Sequence, residues 1–208
     1  MAATSDRVDA ILKRYGTTYA QQAGIRLADK PAPLYQLLVL ATLLSARISS
    51  EVAVATAHEL FTSGFHAPQR MADATWQQRV DALGRGHYRR YDEKTATMLG
   101  DGTELLLERH RGDLRKIRDA ADTIDELSDL LQEFPGIGPA GADIFIREVQ
   151  GIWTNLPPHI DPRIKDGAKR LGLPTAPEKL ARLVKRTDLP RLTAACVRAG
   201  LDKSFEGV

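Results

Sequence analysis

Apolar residues recur at helical spacing along most of the chain. In the first segment, Val8, Ile11, Leu12 and Tyr15 follow the three- and four-residue steps of one helix face. A second and more strongly apolar face consists of Leu34, Leu37, Leu38, Ala41 and Leu44. Glycine and proline positions bound further predicted helices at 51–62, 74–83, 93–109, 124–134, 139–150, 161–171, 176–186 and 189–199. No segment alternates as a strand would, so the pattern predicts an all-α bundle of about ten helices.

The first helix and the last two are expected to pack together, which divides the single unit 1–208 into two lobes. One lobe is a helical, barrel-like body at 30–125, and the other combines 1–29 with 126–208. The terminal lobe must be held by packing, because the chain has too few cysteines for a cross-link or cluster. The residues expected to pack there are Leu180, Leu183, Val184, Leu192, Cys196 and Val197.

Composition excludes several classes of protein. A hydrophobic content of 43% in 208 residues is enough for a substantial core, which argues against disorder. No run of about 18 apolar residues is present, and the first residues do not read as an export signal. We therefore expect a soluble, cytoplasmic protein with no membrane partner. Cys196 is the single cysteine, which excludes an internal disulfide, a four-cysteine zinc site and a four-cysteine iron–sulfur cluster.

The distribution of charge is more informative than the formal net charge of +2. Three basic clusters are Arg85, His87, Arg89, Arg90 and Lys94; Arg163, Lys165, Lys169 and Arg170; and Lys179, Arg182, Lys185, Arg186 and Arg191. An acidic stretch separates the first from the other two and comprises Asp119, Asp122, Asp125, Glu126, Asp129 and Glu133. Each basic cluster alone is typical of a solvated helix face. Together, around a glycine-rich hairpin, they favour a phosphate-binding surface.

That hairpin lies between two predicted helices. The apolar face of 124–134 stops at the sequence Pro135-Gly136-Ile137-Gly138, and Pro139 begins the next helix. Glycine permits a positive φ, and proline is tolerated at the first helical position because the amide there has no intrahelical partner. The turn thus presents backbone amides at the positive end of a helix dipole, where a phosphate oxygen can be held. The same residues also suit a plain interhelical turn.

Three segments together resemble a known family. Phe-Pro-Gly-Ile-Gly-Pro-Ala-Gly-Ala at 134–142 and His-Ile-Asp-Pro-Arg-Ile at 159–164 resemble the hairpin and the following acidic motif of the endonuclease III and adenine glycosylase superfamily. Leu-Leu-Ser-Ala-Arg-Ile-Ser-Ser at 43–50 is similar to that family's leucine-leucine-serine-alanine-glutamine segment. The resemblance covers about residues 34–172. It implies a two-lobed, all-α helix-hairpin-helix DNA glycosylase fold.

The resemblance also implies a function in base-excision repair. We expect the protein to act as a monomer and, if its source is bacterial, to be associated with the nucleoid. The partner is double-stranded DNA containing a damaged or mismatched base, which the protein flips out of the stack before hydrolysing its N-glycosidic bond. Asp161 matches the family's catalytic aspartate, whose carboxylate can stabilise the sugar cation and position or deprotonate the attacking water. No cofactor is required. A K⁺ or Na⁺ ion is expected at the hairpin carbonyls of Phe134 and Ile137, and an iron–sulfur cluster is not expected.

The same resemblance assigns the expected DNA contacts. They comprise the hairpin and the start of the following helix together with flanking cations: Pro135, Gly136, Ile137, Gly138, Ala140, Gly141, Arg47, Arg163 and Lys165. Four aromatic side chains are candidates either for stacking on a base or for packing in the core: Trp76, Tyr88, Tyr91 and Trp153.

Asp161 has a second interpretation. An aspartate followed by proline is a typical N-cap with proline at the first helical position, so the carboxylate could simply start the helix at 161–171. Asparagine can make the same cap, and on this basis Asp161→Asn is expected to leave the fold intact while reducing base release.

Two departures from the family pattern narrow the expected chemistry. Ala140 stands where members that cleave the strand carry a nucleophilic lysine, which predicts a monofunctional enzyme. Arg47 replaces the expected glutamine, and could fill the space left by the flipped base or contact its orphaned partner. The alternatives are a non-catalytic protein that binds damaged DNA, and an abasic-site lyase using another amine such as Lys94 or Lys165.

Overall fold

The computed structural model describes residues 2–204, with side chains from residue 6 onward, and every regular element within that range is helical. Thirteen α-helices are found in it: α1 Ala2–Tyr15, α2 Tyr19–Gln22, α3 Pro31–Ser45, α4 Ser50–Thr62, α5 Pro68–Ala72, α6 Trp76–Arg85, α7 Asp92–His110, α8 Arg115–Asp119, α9 Ile124–Gln132, α10 Pro139–Val149, α11 Pro162–Arg170, α12 Pro177–Ala181 and α13 Leu189–Leu201. A 3-10 turn, Arg186–Asp188, precedes α13. None of these helices is both long and apolar enough to cross a membrane.

The predicted all-α class is confirmed, and the differences concern short elements. Helices α2, α5 and α8 were not predicted, since four or five residues are too few to display a helical period. The helix predicted at 176–186 is wrong in length, because α12 ends at Ala181. Beyond it, the amide of Leu183 donates to the carbonyl of Leu180 at 3.1 Å, a three-residue step that closes a turn rather than extending an α-helix.

The chain forms two compact units, one comprising 20–145 and the other comprising 1–19 with 146–208. These bounds differ from those expected from the sequence, which assigned residues 20–29 and 126–145 to the terminal lobe. Residues 126–145 belong to the first unit because the hairpin packs there: Phe134 and Pro135 lie beside Gly102 of α7. Met1 and residues 205–208 lie outside the described range.

Helix α3 is the centre of the first unit. It is apolar all round, as expected for a helix that is surrounded by others. The side chains that it buries include Leu34, Tyr35, Leu37, Leu38, Val39, Leu40, Ala41 and Leu43. The hydroxyls of Tyr35 and Thr103 lie 2.7 Å apart in a buried hydrogen bond that joins α3 to α7. This packing fixes the C-terminal end of α3, from which Arg47 follows.

The second unit is built on α1, α11 and α13. Its core includes Val8, Ile11 and Leu12 from α1 and Ile164, Ala168 and Leu171 around α11. The predicted packing residues are confirmed: Leu180, Leu192, Cys196 and Val197 are buried, and Leu183 and Val184 pack against them. The expected pairing of the first helix with the last one is also found, since α1 contacts α13.

Candidate functional site

The hairpin between α9 and α10 is a tight turn over Phe134-Pro135-Gly136-Ile137. The amide of Ile137 donates to the carbonyl of Phe134 at 3.0 Å, and Gly136 has a φ of +87°. Proline at the second position, a positive-φ glycine at the third and this hydrogen bond are the features of a type II turn. Phe134 and Ile137 are buried at its two ends, so the turn is anchored by apolar side chains.

The two glycines of the hairpin have different environments. A Cβ on Gly136 would lie 3.0 Å from Cγ2 of Thr42 and 3.1 Å from Met98, in addition to the positive φ. A Cβ on Gly138 would meet no atom within 4 Å, and its φ is not positive. Gly136 is therefore required by the turn, whereas the glycine at 138 leaves open space in front of α10.

The first turn of α10 begins at Gly138, whose carbonyl accepts the amide of Ala142 at 3.0 Å. The amides of Ala140 and Gly141 lie in that first turn, where an α-helix supplies no carbonyl partner. Ala140 is exposed, while Gly141 is buried, and a Cβ on it would collide with the hydroxyl oxygen of Ser45. Gly141 can therefore reach a ligand through its amide alone.

The predicted cation ligands are the carbonyls of Phe134 and Ile137. The carbonyl of Phe134 already accepts the amide of Ile137, which uses one of its two lone pairs. The second lone pair is compatible with an ion, and the cation site stays a prediction.

Asp161 is the N-cap of α11. Its Oδ1 accepts the amides of Arg163 at 2.8 Å and Ile164 at 3.2 Å, and Pro162 occupies the first helical position. The capping interpretation is therefore confirmed. The side chain is 2% exposed, so this carboxylate is buried at the edge of the core of its unit.

A buried arginine accompanies this carboxylate. Nε of Arg147, in α10, donates to Oδ2 of Asp161 at 2.5 Å, and the arginine side chain is 8% exposed. The pKa of the Cys196 thiol in α13 is raised to about 12, first by burial and then by the negative charge of Asp161. Asp161 is thus both a helix cap and half of a buried ion pair, and Asp161→Asn would leave the Arg147 charge without its partner.

Sequence reasoning did not identify Arg147. The sequence did contain a signal for it, which was a charged residue within an apolar helical segment. The nearby residues Ile144, Phe145, Ile146 and Val149 are all buried. Charged side chains are rarely buried without a partner.

A cavity of about 260 Å³ lies beside the hairpin in the unit 20–145. It is lined by the end of α3, by α7 and by the turn: Thr42, Ser45, Ala46, Arg47, Tyr91, Lys94, Thr95, Met98 and Gly136. The structure thus brings the predicted residues Arg47 and Gly136 to one site. Arg47 and Lys94 are exposed cations, and Tyr91 supplies an aromatic ring.

The other predicted cations are exposed on α11. The side chains of Arg163 and Lys165 are both open to solvent, and both belong to the unit that contains Asp161. Of the aromatic candidates, Tyr88 and Trp153 are buried, and Trp76 is 41% exposed. Arg85 is paired with Glu59 at 2.6 Å, which reduces its value as a phosphate contact.

Comparison with solved structures identifies the fold. The chain is similar to endonuclease III in two complexes with DNA, one a trapped covalent intermediate with an estranged adenine and one non-covalent. The TM-scores are 0.49 and 0.50, the sequence identity is 14% in both cases, and each alignment covers 93% of this chain and 84% of the other. The fold is that of endonuclease III. The sequence matches no protein-family model and no curated protein.

The endonuclease III fold confirms the helix-hairpin-helix architecture that the sequence predicted. At 14% identity the likeness extends to the fold. The roles of Asp161, of the hairpin and of Arg47 stay predictions that rest on the geometry described above.

Proposed function

We propose that this protein binds duplex DNA through the 134–138 hairpin and removes a damaged or mismatched base by hydrolysis, as a monofunctional DNA glycosylase. The observation that carries the proposal is the start of α10. An exposed, glycine-preceded helix N-terminus presents backbone amides in front of open space, within a fold that endonuclease III also has.

The hairpin suits a phosphate group. The amides of Ala140 and Gly141 point out of the first helical turn, and the helix dipole places partial positive charge there. Gly138 has no side chain in the way. Backbone amides hold a phosphate without reading a base, so this contact positions the protein at any sequence. Exposed cations such as Arg163 and Lys165 would add salt-dependent affinity.

The cavity suits an extrahelical nucleotide. A base inside a duplex is inaccessible to chemistry at its glycosidic carbon, so it must leave the stack and be held by stacking and hydrogen bonds. Tyr91 offers a ring for stacking, and Arg47 and Lys94 offer donors to base edges or phosphate. None of the described residues that line this cavity is acidic, so no side-chain charge among them repels a phosphate.

Asp161 is the proposed catalytic residue. As the C1′–N bond breaks, the bonding electrons leave with the base and the sugar becomes cationic. A fixed carboxylate stabilises that charge. Water then supplies the C1′ oxygen, and its proton neutralises the departing base. Ala140 carries no amine that could replace water as the nucleophile, which supports hydrolysis without strand cleavage.

A second candidate function is non-catalytic binding of damaged DNA. The ion pair with Arg147 favours it, because a carboxylate that caps a helix and balances a buried arginine has a structural reason to be present. The lyase alternative depends on Lys94, which lines the cavity, or on Lys165, which is exposed on α11.

The deciding experiment incubates the protein with duplexes that carry deaminated, oxidised, alkylated or mismatched bases. We expect base release from one class, strand breaks only after alkali, and no adduct trapped by borohydride. Ala140→Lys is the matched positive control for trapping. Base release from none of the duplexes, with tight binding to an abasic duplex retained, would support the binding protein instead. A borohydride adduct that disappears in Lys94→Ala would establish the lyase.

A further inference from the structure

Arg147 and two backbone amides together fill most of the hydrogen-bonding capacity of the Asp161 carboxylate. Oδ1 accepts two backbone amides, from Arg163 and Ile164, and Oδ2 accepts Nε of Arg147. A carboxylate has about four acceptor positions. Among the described residues three of them are filled, and the one that remains lies on Oδ2.

The two amides alone do not fix the whole carboxylate. They hold only Oδ1, and the longer of the two hydrogen bonds is 3.2 Å, so small rotations about the Cα–Cβ and Cβ–Cγ bonds can still tilt the rigid carboxylate plane. Nε of Arg147 is a directional donor on a planar group, and its contact with Oδ2 fixes the carboxylate plane. Because both side chains are nearly fully buried, solvent does not compete for this contact.

We infer that Arg147 is a positioning residue for Asp161: it sets the direction in which the remaining lone pair of Oδ2 points. This inference rests on the proposed function, because the direction of that lone pair affects a reaction only if Oδ2 faces the reacting sugar. The consequence is that Asp161 acts on the sugar as a fixed charge with one open acceptor position.

The test uses two abasic-site analogues in the same duplex, a neutral tetrahydrofuran and a cationic pyrrolidine. The pyrrolidine resembles the charged sugar of the transition state, and such analogues bind more tightly than neutral ones. We expect the wild type to prefer the pyrrolidine duplex and Asp161→Asn to lose that preference. Arg147→Met should lose most of the preference, and Arg147→Lys should retain most of it.

The matched control is Arg198→Met. Arg198 is a partly buried arginine of the same unit, and its guanidinium lies 5.0 Å from the ring centroid of Tyr19. Its loss should lower stability while the preference for pyrrolidine is kept. The inference is overturned if Arg147→Met keeps the preference, or if Arg198→Met loses it to the same extent in a folded protein.

A spectroscopic measurement separates this inference from the proposed function. In a ¹⁵N-labelled protein, the Nε–H resonance of Arg147 should be protected from exchange and should shift in Asp161→Asn. If the wild type shows no preference for pyrrolidine, the glycosylase proposal fails, and this resonance alone decides whether Arg147 fixes the carboxylate. An Nε–H that exchanges as fast as those of exposed arginines would overturn the inference.

Discussion

Helices α10 and α11 both begin with a proline at the first helical position, but the residue before the proline differs. Gly138 precedes α10 and has no side chain to offer, whereas Asp161 precedes α11 and accepts two of its amides. The first helix start therefore leaves the amides of its first turn without a side-chain cap. The second is already occupied by an anion that belongs to the protein.

The difference shows how one local motif can serve two purposes. A glycine in place of a capping aspartate at a helix start costs only a few tenths of a kcal/mol, so α10 leaves its first amides uncapped at little cost in stability. The capped start of α11 is tied to the core through Arg147, so its aspartate cannot be changed without a structural effect.

The largest expected effect comes from breaking the capped start. Asp161→Asn keeps the cap but removes the carboxylate that Nε of Arg147 contacts, and we expect the free energy of unfolding to fall by about 3–5 kcal/mol. Urea denaturation measures this loss. Labelling of Cys196 provides a local check, because a buried thiol with a pKa of about 12 should react at pH 8 only when α13 opens.

The control for this variant is Asp161→Asn combined with Arg147→Gln, which replaces the ion pair with two neutral groups that can hydrogen-bond. It should recover much of the lost stability. If Asp161→Asn alone is as stable as the wild type, the ion pair contributes little and the contrast between the two helix starts is smaller than described.

The second-largest effect is expected from a substitution that gives α10 an acidic N-cap like that of α11. Gly138→Asp places a carboxylate where it can cap α10, and open space accommodates the side chain. Duplex affinity should fall about tenfold or more at low salt, since a like charge about 4 Å from a phosphate costs roughly 1–4 kcal/mol. Fluorescence anisotropy with an abasic duplex measures the affinity.

Gly138→Ala is the matched control, and it should change neither stability nor affinity by much, because a Cβ at 138 meets no atom within 4 Å. Normal DNA binding by folded Gly138→Asp would mean that the hairpin is a structural turn.

A third change separates the two glycines of the hairpin. Gly136→Ala forces a Cβ onto a residue with a φ of +87° and against Thr42 and Met98, so we expect a stability loss of about 1–3 kcal/mol. The measurement is the melting temperature of Gly136→Ala, determined by thermal unfolding and compared with that of Gly138→Ala. Equal melting temperatures would contradict the different roles assigned to the two positions.

The smallest effect concerns the exposed face of α11. Arg163→Ala keeps the backbone amide that Asp161 caps, and removes a solvent-exposed cation. If this cation contacts a phosphate, the slope of log affinity against log salt should decrease by about one. Arg109→Ala is the control, because Arg109 is paired with Glu133 within the acidic stretch. The same slope for both variants would exclude Arg163 from the DNA interface.

Local sequence by itself determined the longer helices, the hairpin and the cap of α11. Each depends on residues a few positions apart: the apolar period of α3, the Pro135-Gly136 pair of the turn, and the contact of Asp161 with amides two and three residues later. Tertiary structure alone decided the partner of Asp161, the lining of the cavity by α3, α7 and the hairpin, and the early end of α12. The physical reason is that periodicity and capping act between neighbours in sequence, whereas a buried ion pair or a cavity depends on how separate helices pack.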